Sequence, residues 1–221
     1  MTSVPALDTE PPHDCRLCPR LHQFISEWRS REPEWFNGPV PTFLPEGGDD
    51  AVELLVVGLA PGLRGANKSG RPFTGDYAGD LLYSTLKTFR FARGEYEARP
   101  DDSLTLVNAA IVNAVRCVPP QNKPVGAEIN TCRQHFFAPT LRRFPQLRAV
   151  LTLGLIAHQS TVRALGGRVA EHPFTHGGRQ EIAGLSVFSS YHCSRYNTNT
   201  GRLTEEMFVN VFRDIREFLD K

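Results

Sequence analysis

Four apolar runs organise the chain, and each gives way to a polar loop or to apolar residues at helical spacing. "AVELLVVGLA" at 51–60 is an unbroken Val/Leu-rich run and predicts a strand covered on both faces. "LTLVNAAIVNAVRC" (104–117), "LRAVLTLG" (147–154) and "LSVFSSYH" (185–192) predict three more. Helical periodicity appears in "RLHQFISEWRSREPEWF", stopping near Pro33, in "AGDLLYSTLKTFRF", in "NTCRQHFFAPTLRRF", interrupted near Pro139, and in "LIAHQSTVRAL". In "TEEMFVNVFRDIREFL", Thr204 is the expected N-cap, with Glu205 and Glu206 in the first turn. Phe208, Val211, Phe212, Ile215 and Phe218 share one face of that helix and read as core. Strand and helix alternate four times, which predicts an α/β fold around a parallel sheet. The functional loops then belong at the carboxyl ends of the strands.

The chain has 221 residues, enough for one domain with a sizeable core. Residues 1–14 carry no periodicity and read as a flexible arm. No run of about 18 apolar residues is present, and the first residues lack a basic and an apolar secretory region, so an intracellular, non-membrane protein is expected. The formal net charge of +1 gives no global pull toward nucleic acid. Any DNA contact must come from local cations: Arg64, Lys68 and Arg71 in one loop, Arg195 and Arg202 in another.

Five cysteines change the picture. Cys15 and Cys18 form a C-x-x-C pair, Cys117 and Cys132 stand well downstream, and Cys193 lies apart. Disulfides are not expected inside a cell. Four thiolates can hold zinc or an iron–sulfur cluster, and spacing alone leaves both open.

Phe73 and Asp76 close the glycine-rich loop that follows the first strand. A Phe can cap a core and an Asp commonly caps a helix. Together with Asn113 at a strand end and His192 after the last strand, they also make a set that could hold and release a planar ring.

The segments "CRLCPRL", "GLAPGLRGANKSGRPFTGD", "NAVRCVPPQNKP" and "SSYHCSRYNTNTGRLT" occur in this order along nearly the whole chain. Jointly they resemble the type B uracil-DNA glycosylases, the family-5 members of the uracil-DNA glycosylase superfamily. The resemblance implies a three-layer α/β/α sandwich with a central four-stranded parallel sheet. It implies a [4Fe–4S] cluster on Cys15, Cys18, Cys117 and Cys132, with Cys193 outside the set. It also implies a monomeric, cytoplasmic repair enzyme, at the nucleoid while it works. Such an enzyme removes uracil, and other deaminated bases such as hypoxanthine, from double-stranded DNA.

Roles follow residue by residue. Phe73 would carry the flipped base, Asn113 would read its edge, and Gly58 and Ala60 would line its pocket. Asp76 would serve the sugar cation or the water, Asn122 matches a second asparagine of the family, and His192 would stabilise the departing base. Many relatives carry Asn, Asp or Glu just after Gly58; here Leu59–Ala60–Pro61 stands there, as in type B enzymes. The type A enzymes would show Glu at that place. A non-catalytic lesion-binding protein on the same scaffold is the other alternative. Arg195, Tyr196 and Asn197 would enter the minor groove, with Lys68 and Arg71 as further DNA contacts.

Overall fold

The computed structural model describes residues 9–221. Its central sheet is built from β1 (Leu54–Gly58), β4 (Ala109–Asn113), β5 (Ala149–Leu153), β6 (Arg179–Ile182) and β7 (Leu185–Ser190), in the order β4-β1-β5-β7-β6. The strands β4, β1, β5 and β7 are mutually parallel, as expected for runs apolar on both faces. The sheet has five strands, not four. Strand β6 pairs antiparallel with β7 across a two-residue turn, Ala183–Gly184, both at positive φ. Its sequence, "RQEI", is polar on an edge, and its turn lacks the Asn-Gly or Asp-Gly that flags such hairpins, so it left no strand signature.

The other strands, β2 (Ala92–Arg93) and β3 (Thr105–Leu106), form a small separate hairpin. It takes the front of the second apolar run, leaving only its rear half for β4.

The helices are α1 (Pro19–Arg31), α2 (Ala66–Ser69), α3 (Tyr77–Thr88), α4 (Gly126–Cys132), α5 (Ala138–Leu141), α6 (Leu155–Ala164), α7 (Arg195–Asn199) and α8 (Glu205–Leu219). Alternate strand residues face opposite ways. Leu54, Val56, Ile111, Leu151 and Phe188 pack with Leu82 and Leu86 of α3 and Phe208, Phe212 and Ile215 of α8. Leu55, Val57, Val112 and Val150 pack with Leu141 of α5 and Ala157 and Val162 of α6. These are the two outer layers of the sandwich. Thr204 caps α8 by accepting from the Met207 N–H at 3.1 Å. The expected break near Pro139 is a π-turn over Arg133–Phe137 that joins α4 to α5. Proline has no N–H for a regular ladder, and the wider turn absorbs that loss.

Of the arm expected at 1–14, residues 1–8 lie outside the described residues. Thr9–Asp14 are tied down. Glu10 reaches Arg116 at 3.0 Å and Arg143 at 3.2 Å, and Asp14 bonds Arg16 and His22. Among the described residues no helix is long and apolar enough to cross a membrane.

Candidate active site

The carboxyl ends of β1, β4 and β7 open onto one cavity of about 400 Å³. Leu59, Ala60 and Pro61 line it, with Phe73, Asp76, Asn113, Asn122, His192 and Arg195. Phe73, Asp76, Asn113, Asn122 and His192, five residues from separate parts of the chain that the sequence reading assigned to one reaction, thus share one space. Gly58 pairs with Asn113 in the β1–β4 register. A Cβ on Gly58 would collide with Asn113 Oδ1 and come within 2.7 Å of the Phe73 ring. Gly58→Ala is therefore expected to displace both side chains. It should cost about 1–3 kcal/mol of stability, as overpacking does, and should slow base release. Thermal melting together with a cleavage assay checks this, and native melting with native cleavage would remove the close approach from the account.

Phe73 is only 6% exposed and its backbone sits at φ 54°, a conformation bulky residues avoid. Its ring stacks beside that of His192, with centroids 5.9 Å apart. Asn113 is buried at the strand end, and its side-chain amide makes no hydrogen bond to any described residue. The amide thus keeps a donor and an acceptor for a ligand. Asn122, at φ 56°, stands exposed at the mouth.

Asp76 caps a helix and also lines the cavity. It is the N-cap of α3, with Oδ1 accepting from the Gly79 N–H at 3.3 Å. Its other oxygen, Oδ2, points at Gly65, where a Cβ would come within 2.7 Å. Burial raises the carboxyl pKa, while N–H donors at Gly79 and Ala78 pull it down and Asp80 pushes it up.

His192 lies deep enough that burial lowers its pKa to about 4, so its ring is neutral at physiological pH. Nδ1 has no hydrogen-bond partner among the described residues. The unfolded chain protonates this residue near 6.5 and the folded one near 4. Its contribution to stability is therefore whole above pH 6.5 and is lost as pH falls toward 4.

The residues expected on DNA separate. Arg195 lines the cavity, its guanidinium over the Tyr77 ring at 5.2 Å, and Tyr196 is 72% exposed beside it. Asn197 is half-buried, and its amide donates to the His192 carbonyl at 2.8 Å, which ties down the loop that carries His192. Lys68 is exposed above the Trp35 ring and does not line the cavity. Arg71 needs correction as a DNA contact. It is buried and forked onto Asp102 with two bonds of 2.7 Å, so no phosphate can reach it. Burial alone would raise the Asp102 pKa, but Arg71 and the N–H groups of Glu97 and Leu104 hold it at about 2. Tyr77 and Ser194 also line the cavity, and sequence reasoning missed them. Tyr77 directly follows Asp76 in the sequence, which was the available signal.

Cys15, Cys18, Cys117 and Cys132 line a single second cleft, with Leu17, Leu21, Val115 and Phe136. Among the described residues no three His, Cys, Asp or Glu side chains are grouped so as to hold one metal ion. The four sulfurs instead border a common apolar space. Burial pushes the Cys18 thiol up to about 11, with the charges of Cys132, Glu128 and Cys15 adding to it, and pushes Cys117 higher still. Thiolates at such places require a cationic group among them. Arg116, fully buried, lines the same cleft, and its backbone N–H donates to Cys132 Sγ at 3.4 Å. Its guanidinium donates to Glu10, Thr42 and Thr140, and among the described residues Nε has no partner. Four thiols bordering one space, with an unpartnered donor beside them, are the kind of donor set that an iron–sulfur cluster takes. Cys193 is elsewhere, buried under α3 with its thiol toward the Ala78 carbonyl at 3.5 Å.

The sequence model of the Uracil DNA glycosylase superfamily matches residues 45–216. The chain is 40% identical to a Type-5 uracil-DNA glycosylase of Thermus thermophilus, covering 91% of this chain and 92% of that one. It is 35% identical to one of Pyrobaculum aerophilum, covering 90% and 87%. It is 36% identical to one of Mycobacterium leprae, covering 92% and 90%.

Proposed function

The chain belongs to the uracil-DNA glycosylase superfamily, and from that premise we propose that it excises uracil from DNA, hydrolysing the bond between base and deoxyribose and leaving an abasic site. One observation carries the residue assignments: Phe73, Asp76, Asn113, Asn122 and His192 share one cavity. A base inside a duplex is out of reach, so it leaves the stack and enters the cavity. There it lies on the Phe73 ring. The uncommitted Asn113 amide pairs with the uracil edge, offering one donor and one acceptor. As the bond breaks, the sugar becomes positive and the base negative. Ionised Asp76 faces the positive charge and orients the attacking water, with Asn122 at the mouth as its second anchor. Neutral His192 donates a hydrogen bond to the departing oxygen, which offsets the negative charge. The apolar Leu59–Ala60–Pro61 wall takes no part in proton chemistry and leaves room for purines such as hypoxanthine.

Arg195 and Tyr196, exposed at the rim, are the residues assigned to the minor groove of double-stranded DNA, with the enzyme acting as a monomer inside the cell. Cys15, Cys18, Cys117 and Cys132 would hold a [4Fe–4S] cluster, which when bound cross-links the N-terminal segment to the loop that carries Asn122.

Duplexes carrying one uracil, hypoxanthine or xanthine test the reading. Alkali-labile abasic sites are expected with uracil and hypoxanthine. Asn113→Ala should slow uracil release more than hypoxanthine release, because the two bases differ at the edge it reads. Protein that binds uracil duplex without producing abasic sites would overturn the reading in favour of a lesion binder.

A further inference from the structure

Phe73 occupies a backbone conformation that a bulky side chain enters only when its surroundings force it. Three groups outside the cavity do so. The Tyr96 hydroxyl donates to the Phe73 carbonyl at 3.1 Å and accepts from the Gly75 N–H at 3.3 Å, so it spans the turn on both sides of Thr74. The Tyr83 hydroxyl donates to the Pro72 carbonyl at 2.5 Å. Arg71 Nε donates to Thr74 Oγ1 at 2.7 Å.

Tyr96 is itself set in place. Its ring lies 4.6 Å from that of Tyr83 and 5.8 Å from the Arg71 guanidinium. Asp102, which pairs with Arg71, also accepts from the N–H groups of Glu97 and Leu104 at 3.0 and 3.1 Å. The β2–β3 hairpin loop that carries Tyr96 is thereby closed onto the same arginine that holds Thr74. The hairpin has no residue in the cavity. Its contacts run to the segment under the base platform.

We propose that Tyr96 is a positioning residue for base capture: its hydroxyl holds Phe73 in the left-handed conformation that presents the ring to a flipped base. The Arg71–Asp102 pair fixes Tyr96 in turn. The inference rests on Phe73 being the surface beneath the base. Pre-setting that surface removes the need to order it at the moment of capture.

A double-mutant cycle tests it. Tyr96→Phe removes one hydroxyl and should fold normally. In the parent it should slow single-turnover uracil release roughly fivefold to tenfold, the loss expected of one hydrogen bond. In Phe73→Leu, which keeps an apolar but non-aromatic side chain, adding Tyr96→Phe should slow release no further. A purely structural tyrosine would lower the melting temperature and slow both backgrounds by the same factor. That result, or native cleavage by Tyr96→Phe in the parent, would overturn the inference while leaving the platform intact. Native cleavage by Phe73→Leu alone would overturn the platform reading instead.

Discussion

Asp76→Asn is expected to fold and bind uracil-containing duplex much as the parent does, yet to cleave it about 10²–10⁴-fold more slowly in a single turnover, the range for a positioned acid or base. The two oxygens of Asp76 explain the separation. Oδ1 caps α3 through the Gly79 N–H, and an asparagine oxygen keeps that bond because Asn caps about as well as Asp. The negative charge is lost, and among the described residues no other carboxylate lines the cavity, whose adjoining wall of Leu59, Ala60 and Pro61 is apolar. The pH dependence gives a second readout. Asp76 must be ionised and His192 neutral, so the parent rate falls with acid through two ionisations, the raised one of Asp76 and that of His192 at about 4. The variant's residual rate should fall through one. Native cleavage by a stably folded Asp76→Asn would sink the catalytic role and leave the cap as its whole function.

Cys117→Ala should have the other large effect. It is expected to lose iron and its brown colour and to melt roughly 10 °C lower, from a loss of about 3–5 kcal/mol at about 2–4 °C per kcal/mol for a chain of this size. The cleft it lines joins residues far apart in sequence, from Cys15 to Cys132. Cleavage should fall as well, because Asn122 lies five residues on in the same loop, at a positive φ that a slackened loop would not keep. Cys193→Ala is the control and should keep its iron, since its thiol sits in the core under α3. Iron retained in Cys117→Ala, or lost in Cys193→Ala, would show that the four ligands are wrongly chosen.

The sequence by itself determined the parallel core. Leu54–Gly58 is apolar at every position and Ala149–Leu153 at every one but Thr152, and a strand buried on both faces suits that pattern. It also determined α8 to within a residue, because Thr204 and the helical spacing of Phe208, Val211, Phe212 and Ile215 are local signals. Locally encoded, too, were the residue types of the site, since the chemistry of base release needs an aromatic, an amide, a carboxylate and an imidazole.

Tertiary structure decided the rest, wherever a residue's role depends on partners distant in sequence. Arg71 and Arg195 look alike in the chain; Asp102, 31 residues away, makes one a buried brace, while the other stays at the cavity rim. Asp76 reads as a cap or a catalyst from sequence, and only the tertiary structure shows one side chain capping α3 while it also lines the cavity. The edge strand β6 is polar and short, so its pairing with β7 supplies what its own sequence does not. Tyr96 carries no motif, and nothing local marks it. Its importance comes from a hydroxyl that meets the carbonyl of Phe73 only after the β2–β3 hairpin has folded against α3.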